Sequence, residues 1–171
     1  MRIIYFGSSS FGLPCLQAIH HSDHELVGVF TQPARPAGRH RSHLTPTDVA
    51  QWCQANQVTV LAYSPLAQGL LTGKFGPDHR FEKGDHRSAN RLFQPDIYPR
   101  ALKALAALRP MAEEKGVSLA QLALAWVIAK PGVCAIAGAR NAEQSVGNAN
   151  ASAVHLSEAD LEAMDRISRP V

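Results

Sequence analysis

Residues 2–31 read RIIYFGSSSFGLPCLQAIHHSDHELVGVFT, and the order of patterns inside this stretch decides the fold class. A short apolar run over residues 3 to 6 ends at Gly7 and Ser8-Ser9-Ser10, the succession of strand, turn and helix N-cap. Leu13, Leu16 and Ile19 then make a helical stripe with Pro14 in its first turn, and residues 26 to 31 form a second apolar, β-branched run. Strand, helix and strand within this length predict a βαβ unit, hence parallel strands joined by a right-handed crossover.

Outward from this unit, residues 32 to 46 carry Pro33, Pro36, Pro46 and Gly38 with Arg35, Arg39 and Arg41 beside His40 and His43, which predicts an exposed loop. Thr47 caps a helix reaching to about residue 56, and residues 58 to 62 read as a third buried strand. Residues 65 to 99 are rich in Gly, Pro, Asp and His without a sustained period, the mark of a ligand-covering loop. Helical pattern returns over residues 100 to 115, with Leu102, Leu105, Leu108 and Met111 on one face and Gly116 at the stop. Ser118 caps a helix that is apolar nearly all round through Leu122, Leu124, Trp126 and Ile128 and ends at Pro131-Gly132. A fourth strand over 133 to 137, a helix over 142 to 151 and a capped helix over 157 to 167, with Glu158 and Asp160 in its first turn, complete the chain.

The fold class is therefore α/β: one domain over residues 1 to 171, with a parallel sheet of about four strands and crossover helices. Two strand orders satisfy the local rules. Order 3-2-1-4 makes a three-layer sandwich covered on both faces, and it is preferred because it closes one core within one chain. Order 1-2-3-4 makes a (βα)4 half-barrel with one bare face, to be buried by pairing two chains as a homodimer or by the helix after Ser157.

Composition excludes several classes. At 171 residues and 18.5 kDa, with 46% hydrophobic and 18% charged residues, the chain buries a core without disulfide or metal staples. It has no long uncharged apolar run, so no membrane span is expected, and its N-terminus lacks the ordered regions of a signal peptide. The odd set Cys15, Cys53 and Cys134 has no C-x-x-C spacing and points to a reducing cytoplasm. A net charge of +3 does not demand nucleic acid. His20, His21 and His24 lack a carboxylate set at ligand spacing, so a solvated helix end is favoured over a metal site.

Two series of strings carry resemblances. MRIIYFG, FGLPCLQAI, ELVGVFTQPARPAGR and LTP, over residues 1 to 57, resemble the start of the methionyl-tRNA formyltransferases, with G-S-S-S-F-G where that family has G-T-P-D-F-A. From residue 58 onward, LAYSPLAQGLLTGKF, GDHRSANRLF, EEKGVSLAQLALAWVIAKPGV, AIAGARNAEQSVGNANA and LSEADLEAMD resemble the C-terminal part of the aldo-keto reductases. There the stretch corresponds to the last two βα units of an eight-stranded barrel plus a trailing helix. Together the two likenesses imply a chimera of two partial domains, engineered or recombinant, joined at the third strand.

The resemblances imply that the catalytic residues of both families lie in parts this chain lacks, so neither activity is expected and no catalytic residue is assigned. The nucleotide half fares better. By resemblance Tyr63 matches the aromatic that stacks on the nicotinamide, Ser64, Leu66, Gln68, Gly69 and Lys74 cover the pyrophosphate, and Arg87 adds charge. Gly138, Arg140, Gln144 and Asn148 match the residues around the adenosine and its 2′-phosphate, while Gly147 stands for the usual Glu and Ala137 for a common Pro. Weak NADP(H) binding without catalysis is one function reading; a purely structural recombined fold is a second, and a residual oxidoreductase or formyltransferase-related fusion product a third. The first likeness places Arg39 and Arg41 in a loop that reaches tRNA, but no other basic surface supports it, so at most weak contact is expected and a solvated loop is favoured.

Overall fold

The computed structural model describes residues 1–32, 35–37, 43–169 and 171. The opening stretch forms β1 (Arg2–Phe6), α1 (Leu13–His20) and β2 (Glu25–Thr31). Ser9 accepts from the Phe11 N–H at the head of a single 3-10 turn, and Pro14 lies in the first turn of α1. Where a loop is expected, β3 (Arg35–Ala37) and β4 (His43–Thr45) pair antiparallel. Three prolines and several bases mask a hairpin whose pairing lies between residues six or more apart. The rest of that segment, Arg39 and Arg41 included, lies outside the described residues.

Thr47 caps α2 (Asp48–Ala55) by accepting from the Ala50 N–H at 3.1 Å. β5 (Val60–Tyr63) follows, then three short 3-10 turns, α3 (Tyr98–Glu114), α4 (Leu119–Ile128), β6 (Val133–Ile136), α5 (Ala142–Asn150) and α6 (Glu158–Ser168). Gly116, at φ +65°, terminates α3 as its position predicts.

The main sheet is parallel, in the order β1-β2-β5-β6. Four parallel strands with crossover helices hold as expected, but the order is consecutive, so the preferred 3-2-1-4 sandwich is corrected to the half-barrel arrangement. The physical reason lies in where the later helices find their partners. Leu105 and Leu108 of α3, Leu119 and Leu122 of α4 and Met164 of α6 form a core of their own.

The chain divides into two compact units. The first, Met1–Pro65 with Val127–Ala137, contains the sheet. Leu16 of α1 and Val49 and Cys53 of α2 close over Val29 and Val60, all of them buried. Burial pushes the Cys53 thiol up to about 11, so it packs as a neutral apolar group. Tyr5 fits beside two glycines: a Cβ on Gly7 or Gly12 would come within 2.7 or 2.0 Å of its hydroxyl, which donates to the Gly12 carbonyl at 3.0 Å. Along β1, β5 and β6 the side chains alternate between this core and the opposite face, where Phe6 and Tyr63 are 70% and 66% exposed.

The second unit, Leu66–Trp126 with Gly138–Val171, is held by α3, α4 and α6. On α3 the buried positions are Ala101, Leu105, Leu108 and Ala112, with Leu102 and Met111 at the flank. The stripe is rotated from the one the leucines predict because alanine lets another helix approach most closely. Trp126 donates to Asp165 at 3.0 Å, and Lys115 donates to Asp160 at 2.8 Å.

Asp160 also closes the capping box of α6 with Ser157. The Lys115 hydrogen bond first, then the Ser157 N–H and hydroxyl, lower its carboxyl from the ordinary 3.8 to about 2. A carboxyl depressed in the folded state stabilises above the unfolded value and loses that contribution as pH falls through the folded one. Between about pH 4 and pH 2 the wild-type chain should therefore lose stability more steeply than Asp160→Asn, as read by urea unfolding at each pH. Parallel acid limbs for the two proteins would refute this.

Candidate functional site

The segment after β5 bends through left-handed backbone. Ser64 has φ +57°, and Ala67, Gln68 and Gly69 have φ +48°, +56° and +91°. Three of these are not glycine, and such conformations persist only where the surroundings impose them, a pattern concentrated at ligand-binding loops. The turn is closed locally, with the Gly69 N–H donating to the Leu66 carbonyl at 2.9 Å and the Thr72 hydroxyl to the Gly69 carbonyl at 2.7 Å. Leu70 is buried in the core of the second unit and anchors the loop.

Lys74 extends beside Gly69: a Cβ at Gly69 would lie 3.5 Å from its ammonium nitrogen. That nitrogen lies 4.8 Å from the Phe75 ring centroid. Burial, then the Arg140 and Arg87 charges, lower the Lys74 pKa. Arg87 lies over Phe81 at 4.9 Å and Phe75 at 5.6 Å. Its guanidinium also grips Asp85 in a two-pronged pair, Nε to Oδ1 at 2.9 Å and Nη2 to Oδ2 at 2.5 Å, which holds that carboxyl well below the usual range.

Phe75, Phe81 and Phe93 pack edge to face, and Tyr98 joins through Phe93. Residues 65 to 99 thus carry a small aromatic cluster, which their irregular spacing hides from any test of periodicity. Asp85 and the two rings under Arg87 are the site residues that sequence reasoning missed. The adjacency of Asp85 to Arg87 in G-D-H-R was the available signal.

The other cation comes from the residues before α5. Asn141 caps this helix by accepting from the Gln144 N–H at 2.8 Å, and the Gln144 side-chain oxygen accepts from the Arg140 N–H at 3.0 Å. The Asn148 side chain donates to the Gly138 carbonyl at 3.3 Å. Gly138, Arg140, Gln144 and Asn148 are therefore held together by their own hydrogen bonds, with the Gln144 amide nitrogen left for another partner. Around Gly147 there is open space.

Leu66, Gln68, Gly69, Lys74 and Arg87 belong to the second unit with these four residues; Tyr63 and Ser64 belong to the first. Tyr63 ends β5 opposite Ile136, so the strands that precede the two stretches are direct neighbours. Among the described residues no three of His, Cys, Asp and Glu converge as a metal group. The His21 ring nitrogen lies 2.7 Å from the Gln17 carbonyl at the end of α1, and His20 packs edge-on against Trp52. No helix among the described residues is long and apolar enough to cross a membrane.

Comparison with known proteins places this arrangement. The chain is 41% identical over 127 residues to an uncharacterized oxidoreductase of Mycobacterium bovis, covering 72% of this chain and 39% of that relative. It therefore spans about two fifths of that relative's length. The structure of the glycerol dehydrogenase of Gluconobacter oxydans superposes with a TM-score of 0.72 at 25% identity, over 97% of this chain and 57% of that one. A stretch of 66 residues, 39% of this chain, is 44% identical to methionyl-tRNA formyltransferase of Legionella pneumophila (strain Paris), covering 20% of that protein.

The expectation of an inert recombinant of two partial domains, and its purely structural alternative, are corrected by these matches. The family model described as "Aldo/keto reductase family" matches residues 2–169, straight through the first 57 residues that had been set apart. Four consecutive parallel βα units in one sheet agree with that continuity. The chain belongs to the aldo/keto reductase family.

Proposed function

We propose that this chain is the nucleotide-holding part of an oxidoreductase and that its second unit binds the phosphates of NADP(H). The observation that carries the reading is that Lys74 and Arg87 both lie over the Phe75 ring next to a loop of left-handed backbone, with the Arg140 charge contributing to the lowered Lys74 pKa. Like charges close together repel one another, and among the described residues Arg87 alone of the three pairs with a carboxylate, that of Asp85. A bound polyanion relieves that repulsion. The N-terminus of α5 adds a dipole of the right sign. The donor set thus fits a pyrophosphate with an additional phosphate.

Within this reading Lys74 and Arg87 hold the pyrophosphate, and Arg140, whose backbone N–H donates to the Gln144 side chain, meets the 2′-phosphate. Ser64, Leu66, Gln68 and Gly69 shape the covering loop, and Gly138 and Asn148 support the adenosine side. Gly147 offers no side chain to the adenine, so affinity is reduced.

Fluorescence titration with NADPH and with NADH tests the proposal. Arg140→Ala should weaken NADPH by roughly tenfold to a hundredfold, the range for one charge-assisted hydrogen bond, and leave NADH nearly unchanged. Lys74→Ala should weaken both. Equal losses for the two nucleotides on Arg140→Ala would remove Arg140 from the 2′-phosphate, and no fluorescence change at millimolar NADPH would sink the nucleotide reading altogether.

A further inference from the structure

We infer that the groove between the loop at residues 73–77 and helix α3 is a second binding site, which takes a medium-length aliphatic acid carrying a carboxylate at each end. The groove measures about 440 Å³, within the range of roughly 300 to 1,000 Å³ usual for small-molecule sites, and lies wholly in the second unit. It goes beyond the proposed nucleotide function, since neither Lys74 nor Arg87 lines it. Two contacts set the course of the loop along the helix. The Tyr98 hydroxyl, at the start of α3, donates to the Gly76 carbonyl at 2.8 Å, and further along a Cβ on Gly73 would lie 3.6 Å from Arg109 Nη2. The loop therefore runs antiparallel to α3, over a floor made by Leu105 and Phe75, 5% and 7% exposed. Leu102, Leu105, Ala106 and Arg109 follow helical i, i+3, i+4, i+7 spacing, so one face of α3 looks into the groove. Ala106 keeps that face low, and a Cβ on Gly76 would meet nothing within 4 Å, so neither side fills the gap.

Charge selects the ligand. The lining holds two cations, the exposed Lys103 and Arg109, and no carboxylate. Among the described residues neither of the two forms a salt bridge. The Gly76 carbonyl, which would repel an anion, already accepts from the Tyr98 hydroxyl and, at 3.1 Å, from the His79 N–H. Six residues of α-helix set the two cations roughly 9 Å apart along the axis, about the spacing between the carboxylates of an extended eight-carbon diacid. One carboxylate meets the Arg109 guanidinium, the other meets the Lys103 ammonium, and the methylenes between them lie on Leu105 and Phe75. An acid with a single carboxylate would leave one cation unanswered. A peptide would bring backbone amides that this apolar floor cannot satisfy.

Calorimetric titration of the 171-residue chain with suberate, succinate and octanoate tests the inference. Suberate should bind about tenfold or more tighter than succinate, whose carboxylates are too close together to reach both cations and whose fewer methylenes forgo up to roughly fourfold in affinity each. It should also bind about threefold to tenfold tighter than octanoate, which lacks the second charge. Lys103→Gln should erase the advantage of suberate over octanoate, a loss that a merely structural role would not produce. Ala106→Phe, at an exposed position, should fill the groove and weaken suberate by about tenfold or more while circular dichroism stays native.

Methyl spectra of leucine-labelled protein locate the ligand on the unmodified chain, decisive even where a variant fails to fold. The Leu102 and Leu105 signals should shift as suberate is added, since both side chains line the groove. Binding heat without movement of these two signals would put the acid on other cations and overturn the inference. So would a suberate affinity no greater than that of succinate or of octanoate, an advantage over octanoate that survives Lys103→Gln, binding that Ala106→Phe leaves intact, or no heat at about 10 mM suberate. None of these readouts involves NADPH, so a failure here and a failure of the nucleotide reading are told apart.

Discussion

Leu122→Ala should lower the unfolding free energy by about 3 kcal/mol, seen as a fall in the urea midpoint with little change in slope. Leu122 is 1% exposed at the centre of the cluster that joins α3, α4 and α6. Truncation removes several methylene groups' worth of burial and leaves a cavity in a cluster that also holds Leu105 and Leu108 of α3 and Met164 of α6, side chains carried on two other helices. Those helices cannot all move inward to fill it. By contrast Val146→Ala, at a site 60% exposed on α5, should stay within about 0.5 kcal/mol. A loss under about 1 kcal/mol for Leu122→Ala would show that this cluster relaxes freely and is not the tight core described.

Gly73→Ala should cost a comparable amount, about 3 kcal/mol, by two separable routes. Its φ of +71° is left-handed, and a Cβ there would lie 2.6 Å from Leu119 Cδ1. Leu119 is only 7% exposed and has no room to swing aside. In a Leu119→Ala background the steric part disappears and the backbone part remains, so the same substitution should then cost about 1 to 2 kcal/mol. Additive losses in the two backgrounds would refute the contact. The effect reaches function because Lys74 follows directly: Gly73→Ala should also weaken NADPH binding, by the same titration that tests Arg140.

Much of the local structure is legible from short-range pattern. Thr47 and Ser157 cap where their spacing predicts, Gly116 stops α3, and much of the apolar run through α4 is buried, whereas Ser9 caps a short 3-10 turn and α1 itself starts at Gly12 without a side-chain cap. The βαβ unit over residues 2 to 31 and the parallel pairing follow from the same kind of signal. These are properties of neighbours along the chain: a hydroxyl three residues from an unsatisfied N–H, or a glycine at a position needing positive φ. The strings around Lys74, Arg87 and Arg140 were likewise visible, because a cation in a glycine-bearing loop is chemically conspicuous.

Long-range choices were not. Orders 3-2-1-4 and 1-2-3-4 obey the same crossover rule, and nothing within β6 says which edge it will join. The register Val60 to Val133 through Tyr63 to Ile136 is a pairing over some seventy residues, which no pattern of neighbours along the chain encodes. The antiparallel pair β3 and β4, the aromatic cluster under Arg87 and the proximity of Arg140 to Lys74 are of the same kind. Each depends on contacts between residues that local propensity treats as independent. Capping, turns and amphipathic stripes are thus written in the order of the residues, whereas strand order and the meeting of Lys74 and Arg87 over the Phe75 ring arise only when residues apart in sequence come into contact.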